Sequence, residues 1–120
     1  MAEHPQLDRL REICLGYPEA IERVTWEQQT FRVREKIFAM ASADADDARV
    51  WLKAGPGVQE LLIAADSARF YRPPYVGPKG WIGIRLFEPV DWGEVGDLVD
   101  ASYRLIAPKR LVAQLPSSDS

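Results

Sequence analysis

Residues 22–54 have the sequence ERVTWEQQTFRVREKIFAMASADADDARVWLKA, in which apolar and polar residues alternate. A period of two is typical of strands that have one buried face and one exposed face. The pattern predicts four short strands, joined by turns that include Arg34-Glu35 and residues 43–47. Each strand has two apolar residues on its buried face: Val24 and Trp26, Phe31 and Val33, Phe38 and Met40, Val50 and Leu52.

Helical patterns surround these strands. Residues 5–16 begin with proline and end with glycine, and apolar residues recur between them at helical spacing. Residues 56–65 predict a short second helix. The best-marked helix begins at Asp91, because Asp91 and Glu94 have the spacing of a capping box, and it ends at Pro108.

A loop and a further strand lie between the second and third helices. Residues 69–80 contain three prolines and two glycines, so they predict irregular structure. Residues 81–87 alternate again and predict a fifth strand. The order of elements predicts an α+β two-layer sandwich, in which helices cover one face of an antiparallel sheet.

The bulk composition is that of one globular domain. The chain has 120 residues, of which 47% are hydrophobic and 28% charged, and these values exclude disordered chains and disulfide scaffolds. We expect a single domain over residues 1–120, ordered from about residue 5 to 115 with a flexible tail at 116–120. No signal peptide or long apolar stretch occurs, so we expect a cytoplasmic protein without a membrane partner.

Acidic residues outnumber basic ones by 18 to 15, which gives a net charge of −3. This balance argues against binding nucleic acid through overall charge, so any anion site must be a local patch. Cys14 and His4 do not form a zinc site or a catalytic pair, and no GxSxG, HExxH or phosphate-loop motif occurs. We therefore expect no metal, no cofactor and no enzymatic activity.

On each strand the apolar residues face the helices. The residues between them therefore face the other, uncovered side of the sheet. This set combines cations with tryptophan: Arg23, Arg32, Arg49, Trp51, Lys53, Trp81 and Arg85. One acid, Glu27, accompanies it. Such a mixture is typical of nucleic-acid surfaces, because Arg and Lys neutralise phosphates and Trp stacks on bases. It is also typical of protein interfaces, and of basic side chains that simply cover tryptophan.

Two other segments carry cations. Arg72 and Lys79 lie on a proline-rich loop that can hold a phosphate or a partner's carboxylate, or can serve only as a rigid crossover. Lys109 and Arg110 follow a helix end, where cations also stabilise the last carbonyls. The candidate nucleic-acid-binding residues are therefore Arg32, Lys36, Arg49, Trp51, Lys53, Arg72, Lys79, Trp81, Arg85, Lys109 and Arg110.

Six motifs occur in order between about residues 7 and 115. They are TWEQQTFRV (25–33), EKIFA (35–39), VWLK (50–53), PPY (73–75), GWIGI (80–84) and SYRLIAPKRL (102–111). Together they resemble the MmcQ/YjbR family. The resemblance implies a small bacterial cytoplasmic protein with a fold similar to CyaY, the bacterial frataxin, and to DNA-binding "double wing" domains. Members of the family are often labelled DNA-binding on that structural similarity.

The resemblance also implies which polar positions are characteristic: Arg32, Lys36, Lys53, Tyr75, Trp81, Tyr103 and Lys109. Several of them coincide with the basic face of the predicted sheet. The chain departs from the family at Glu35, where a glycine is common. An acid there weakens the expected contact between this hairpin and a phosphate.

Two functions remain open at this point. One is a DNA-binding module that uses the uncovered sheet face. The other is a protein-interaction module that uses the same face in a frataxin-like manner, without catalysis. Iron binding is disfavoured because the first helix carries only Asp8 and Glu12, and no nucleophile or base supports an enzyme acting on an anionic substrate. The sequence is compatible with a monomer or a dimer.

Overall fold

The computed structural model describes residues 4–25, 28–43 and 47–116. The elements in chain order are α1 (Pro5–Leu15), β1 (Ile21–Thr25), β2 (Gln28–Val33), β3 (Lys36–Ala43), β4 (Ala48–Lys53), α2 (Val58–Ala65), β5 (Phe70–Tyr71), a 3-10 turn (Gly77–Lys79), β6 (Trp81–Arg85), α3 (Trp92–Ile106) and α4 (Lys109–Val112). Within these ranges the strands form one antiparallel sheet in the order β1-β2-β3-β4-β6-β5. Apolar residues of the helices pack on one face of it, which confirms the predicted α+β two-layer sandwich.

Local signals set the ends of the helices. Asp91 caps α3, because its carboxylate accepts a hydrogen bond from the backbone N–H of Glu94 at 3.1 Å. Pro5 opens α1, where a missing N–H costs no helical hydrogen bond. The predicted second helix begins two residues later than expected, at Val58, after Gly57.

Tyr103 lies at the centre of the core. Its side chain is fully buried, and its ring stacks on Tyr17 with centroids 4.8 Å apart and meets Phe38 edge-on at 5.2 Å. Its hydroxyl donates a hydrogen bond to the carbonyl of Pro18 at 2.7 Å. One residue of α3 thereby joins the helix to the sheet and to the segment that follows α1.

Strand β3 departs from the predicted alternation. Phe31 pairs with Ala39 and Arg32 pairs with Ile37, so Phe38 is the extra residue of a β-bulge. Phe38 and Ala39 therefore both lie on the helix side of the sheet. Met40 lies on the opposite side, where it pairs with Trp51. The prediction that Phe38 and Met40 share the buried face is wrong for Met40.

The side chain of Ser102 in α3 lies beside the bulge, where β3 and β4 are no longer paired. Its hydroxyl donates to the carbonyl of Phe38 at 2.6 Å and accepts from the N–H of Lys53 at 3.0 Å. Both backbone groups lie beyond the pair formed by Ala39 and Leu52. A side chain of the helix layer thus satisfies polar groups that the sheet leaves without a ladder partner.

Residues 69–80 are more regular than predicted. Phe70–Tyr71 pairs with β6 as an edge strand, and Gly77–Lys79 forms a 3-10 turn. The prolines of this segment lie outside β5, so they remove no hydrogen bond from the ladder. The prediction of irregular structure is therefore wrong for these two pieces.

Several predictions concern residues outside the described ranges. These are the inward position of Trp26, the position of Glu27, most of the turn at 43–47 and most of the tail. The other predicted turn is present: Arg34 and Glu35 join β2 to β3 with φ angles of 51° and 70°. Both values lie in the left-handed region, which favours glycine or asparagine in two-residue hairpin turns.

Replacing Glu35 by glycine is expected to raise the free energy of unfolding by about 0.5–1 kcal/mol, because it removes the steric cost of a Cβ at positive φ. The carboxylate lost is 3.9 Å from Arg23, and both side chains are at least half exposed, so that pair contributes little. Urea unfolding measures the change. Glu35→Ala is the control: it removes the same carboxylate but keeps the Cβ, so an equal gain with alanine would contradict the explanation.

Candidate functional site

The register places a set of side chains on the face of the sheet away from the helices, called the open face below. One row of paired residues crosses every strand: Arg23, Thr30, Met40, Trp51, Gly83 and Tyr71. Neighbouring rows add Arg49 opposite Arg85, and Lys53 opposite Trp81. Arg32 faces the same way, because its Nε donates to the hydroxyl of Thr30 at 3.1 Å. The seven residues that alternation predicts for this face therefore share it.

Tyr71 covers the middle of β6 on the open face. A Cβ on Gly83 would lie 2.4 Å from the Cζ atom of Tyr71, so the ring occupies the space that a side chain would need. Trp51 donates its indole N–H to the Tyr71 hydroxyl at 2.8 Å. The Arg85 guanidinium lies 4.4 Å from the centre of the Tyr71 ring. Trp51, Tyr71 and Arg85 are thus held together as one cluster.

Trp81 lies on the open face but is only 8% exposed. Its backbone N–H donates to the carbonyl of Val76 at 3.4 Å, and its carbonyl accepts from Gln59 at 2.6 Å. The loop before β6 and the start of α2 are therefore bonded to this residue. The expectation that Trp81 offers an exposed stacking surface is wrong, because it rested on strand alternation and neglected the loop.

The basic side chains divide into two groups by their ion pairs. The first group contacts a described carboxylate within 4.0 Å: Arg9, Arg11, Arg23, Arg34, Arg49, Arg69 and Arg104. The second group makes no ion pair among residues 4–25, 28–43 and 47–116: Arg32, Lys36, Lys53, Arg72, Lys79, Arg85, Lys109 and Arg110. Every member of the second group is a predicted site residue. The one predicted cation in the first group is Arg49, which pairs with Asp47.

Three of the predicted residues belong to the helix side of the molecule, away from the open face. Lys36 pairs in register with Val33, whose side chain is buried in the core, so Lys36 projects from the helix side. Lys109 and Arg110 belong to α4, which packs on α3. These three residues are separated from the open face because they lie on the helix side of the sheet or in a helix. The sequence pattern alone did not predict on which side of the sheet they would lie.

A cleft of about 340 Å³ lies where β4 ends and where α2 and β6 begin. Lys53, Arg72 and Lys79 line it, together with one acid, Glu60. The Lys53 ammonium donates to the carbonyl of Lys79 at 3.0 Å. The structure thus places both predicted cations of the proline-rich loop in the same cleft as the last residue of a central strand.

Gln59 is a residue of this region that sequence reasoning missed. Its side chain is 5% exposed, and its amide nitrogen donates to the carbonyls of Gly77 and Trp81 at 2.8 and 2.6 Å. These bonds attach the loop to α2. A polar residue beside Val58 in a short apolar helix was the available signal, although it does not identify the partners.

Cys14 and the carboxylates show no arrangement for nucleophilic or metal chemistry within the described ranges. Burial raises the pKa of the Cys14 thiol to about 12, so the thiol is protonated at neutral pH. No cluster of three or more His, Cys, Asp or Glu side chains suited to a metal ion occurs among the residues that the structure describes. In the same part of the chain, no helix has the length and apolar character needed to cross a membrane.

A sequence model of the YjbR family matches residues 15–105 of the chain. The chain belongs to the YjbR family. The crystal structure of Deinococcus radiodurans protein DR2400, which carries a DUF419 domain, is similar to this YjbR chain with a TM-score of 0.75 and 26% identity. The match covers 82% of this chain and 76% of the other. No curated relative matches by sequence.

The structure separates two kinds of YjbR motif residue. Ser102 and Tyr103 of the Ser-Tyr motif are buried and hydrogen-bonded to backbone groups, so they stabilise the fold. Trp81 of the Gly-Trp motif is buried as well. Arg32 lies on the open face, and Tyr75 is 89% exposed at a φ of 66°. Arg32 and Tyr75 are therefore not part of the core.

Proposed function

We propose that this YjbR protein is a DNA-binding module that contacts phosphates through the open face of its sheet. The observation that supports the proposal is the charge of that face, in a chain whose net charge is −3. Five cations project from it: Arg23, Arg32, Arg49, Lys53 and Arg85. Of the described carboxylates, Glu35 and Asp47 contact Arg23 and Arg49. An excess of positive charge remains on one surface.

Strand β3 divides these cations into two groups. Arg23 and Arg32 lie on β1 and β2, whereas Lys53, Arg49 and Arg85 lie on β4 and β6, with Arg49 directly opposite Arg85. Neighbouring strands are about 4.8 Å apart, so the groups are separated by roughly 10–19 Å. The major groove of B-DNA is about 12 Å wide. The two groups can therefore contact phosphates on both sides of that groove.

The aromatic residues of the face argue for contacts to the DNA backbone. Trp81 is buried, and Trp51 uses its indole N–H to bind Tyr71. Phosphate contacts position a protein on DNA without reading its sequence. We therefore propose that the protein binds DNA with little preference for sequence. We also propose that the protein is cytoplasmic.

Binding to a labelled duplex is expected to weaken steeply with salt. If about four or five phosphates are neutralised, the logarithm of the binding constant should fall against the logarithm of the salt concentration with a slope of about −4. Between about 50 and 200 mM salt the affinity should then fall by roughly two orders of magnitude. Fluorescence anisotropy with a duplex of 5′-hydroxyl strands measures the slope.

Matched variants locate the surface in the same experiment. Arg32→Gln and Arg85→Gln should each make the slope shallower by about 1, because each removes one phosphate contact. Lys109→Gln removes the same charge from the helix layer and should leave the slope unchanged. Absence of binding at about 50 mM salt, or equal losses in all three variants, would reject the proposal.

Tyr75 favours a second candidate, a protein-interaction module. Its side chain is 89% exposed, and a non-glycine residue at a φ of 66° carries backbone strain. Exposed tyrosines are common among the residues that dominate protein interfaces. A protein-interaction module of this kind requires Tyr75 and does not require Arg85. If DNA binding is kept in Tyr75→Ala and weakened in Arg85→Gln, the result supports the DNA-binding module.

A further inference from the structure

Three cations that make no ion pair with any described residue line the cleft at the end of the sheet. Lys53 ends β4, Arg72 follows β5 and Lys79 precedes β6. No described carboxylate lies within 4.0 Å of any of them. Like charges gathered in a concave site repel one another, and they raise the local concentration of anions. A bound anion would relieve that repulsion.

Arg72 and Lys53 are held in place by contacts of their side chains, and Lys79 is held through its backbone. A Cβ on Gly77 would lie 2.7 Å from the Cγ atom of Arg72, so the Arg72 stem packs directly against this glycine. Lys53 is bonded to the carbonyl of Lys79, and Gln59 fixes the loop through the carbonyl of Gly77. A site whose side chains are already ordered loses less entropy when a ligand binds.

We infer that this cleft binds a small phosphate monoester. Lys53, Arg72 and Lys79, with Glu60 as the one acid, give the lining a charge that matches the roughly −1.5 to −2 of a phosphate monoester at pH 7. A carboxylate ligand would neutralise only half of it. The Arg72 guanidinium can bind two phosphate oxygens at once.

The size and the remaining walls of the cleft fit a small organic group attached to the phosphate. A volume of about 340 Å³ is at the lower end of the range for small-molecule sites. Pro56 and Leu105 supply apolar surface, and the Glu60 carboxylate can accept a hydrogen bond from a ligand hydroxyl. The ligand class is therefore a compact, hydroxylated phosphate monoester.

This inference goes beyond the proposed binding of DNA by the open face. A phosphate in the cleft does not need Arg32 or Arg85, and Lys53 is the one cation that the cleft shares with the open face. A phosphate monoester occurs both in free metabolites and at the 5′ end of a nucleic-acid strand. The two sources share the chemistry that the cleft would recognise, and the experiment separates them.

Isothermal titration calorimetry at about 150 mM salt, with glycerol 3-phosphate and with inorganic phosphate as probes, tests the inference. Both probes should bind, and glycerol should not. Arg72→Gln and Lys79→Gln should each raise the dissociation constant about tenfold or more, because each removes a charged hydrogen-bond donor. Glutamine keeps most of the Arg72 stem that packs on Gly77. Lys109→Gln removes the same charge elsewhere and should bind like the wild type.

A 5′-phosphorylated oligonucleotide and its 5′-hydroxyl counterpart identify the source. Tighter binding of the phosphorylated strand than of its 5′-hydroxyl counterpart indicates a nucleic-acid end, and equal binding of the two strands together with binding of glycerol 3-phosphate indicates a free metabolite. The inference is overturned if the wild type binds neither glycerol 3-phosphate nor inorganic phosphate and binds the phosphorylated strand no more tightly than its 5′-hydroxyl counterpart. The inference is also overturned if Lys79→Gln binds glycerol 3-phosphate as tightly as Lys109→Gln does. This comparison can be made even if Arg72→Gln proves unstable. The duplex of 5′-hydroxyl strands tests the open face separately.

Discussion

Replacing Tyr103 by alanine is expected to lower the free energy of unfolding by about 3–5 kcal/mol. The side chain is fully buried, and its removal leaves a cavity between Tyr17 and Phe38, whose rings now contact it. The hydrogen bond to the carbonyl of Pro18 is lost as well. Because small domains are stable by only about 5–15 kcal/mol, the variant should lose a large part of its stability.

Tyr103→Phe separates the ring from the hydroxyl. It keeps both aromatic contacts and removes one hydrogen bond, so the expected loss is about 1 kcal/mol. Urea unfolding followed by circular dichroism measures both variants. Tyr75→Ala is the control for losing a tyrosine, and its effect should stay within about 0.5 kcal/mol because that ring is exposed. If phenylalanine cost as much as alanine, packing of the ring would not be the main contribution.

Local signals were sufficient to predict most of the elements. The capping box at Asp91 and Glu94 fixed the start of α3, and alternation located the strands between residues 21 and 53. The bulge at Phe38 escaped prediction because its carbonyl is bonded to Ser102, which lies 64 residues away in the chain. The local sequence of β3 contains no sign of a partner at that distance. The prediction therefore placed Phe38 on the correct face of the sheet and Met40 on the wrong one.

The candidate site was likewise predicted only in part. Alternation correctly grouped Arg49, Trp51 and Arg85 on one face, because the side-chain period of a strand is two wherever no bulge intervenes. The burial of Trp81 and the cover that Tyr71 forms depend on how the loop between β5 and β6 folds back, which alternation does not report. One signal for the cover was present: Gly83 interrupts an apolar strand, and such a glycine often marks the close approach of another group.

Replacing Gly83 by alanine is expected to lower the free energy of unfolding by about 1–3 kcal/mol. The added Cβ would lie between 2.4 and 2.7 Å from ring atoms of Tyr71, so the ring must move away. Its hydrogen bond with Trp51 and its contact with Arg85 are then lost. Gly96→Ala is the matched control, because nothing lies within 4 Å of a Cβ there and alanine favours a helix. That control should gain about 0.5–1 kcal/mol.

A double-mutant cycle shows whether Tyr71 is the cause. In a Tyr71→Ala background no ring opposes the new methyl group, so Gly83→Ala should cost nothing there and should gain up to about 0.5–1 kcal/mol, as alanine replaces glycine within a strand. The interaction energy between the two changes is therefore expected to be about 1–4 kcal/mol. Urea unfolding of the four proteins measures it. Additive effects would mean that Gly83 is required by something other than the Tyr71 ring, and that the cluster on the open face is not held by this contact.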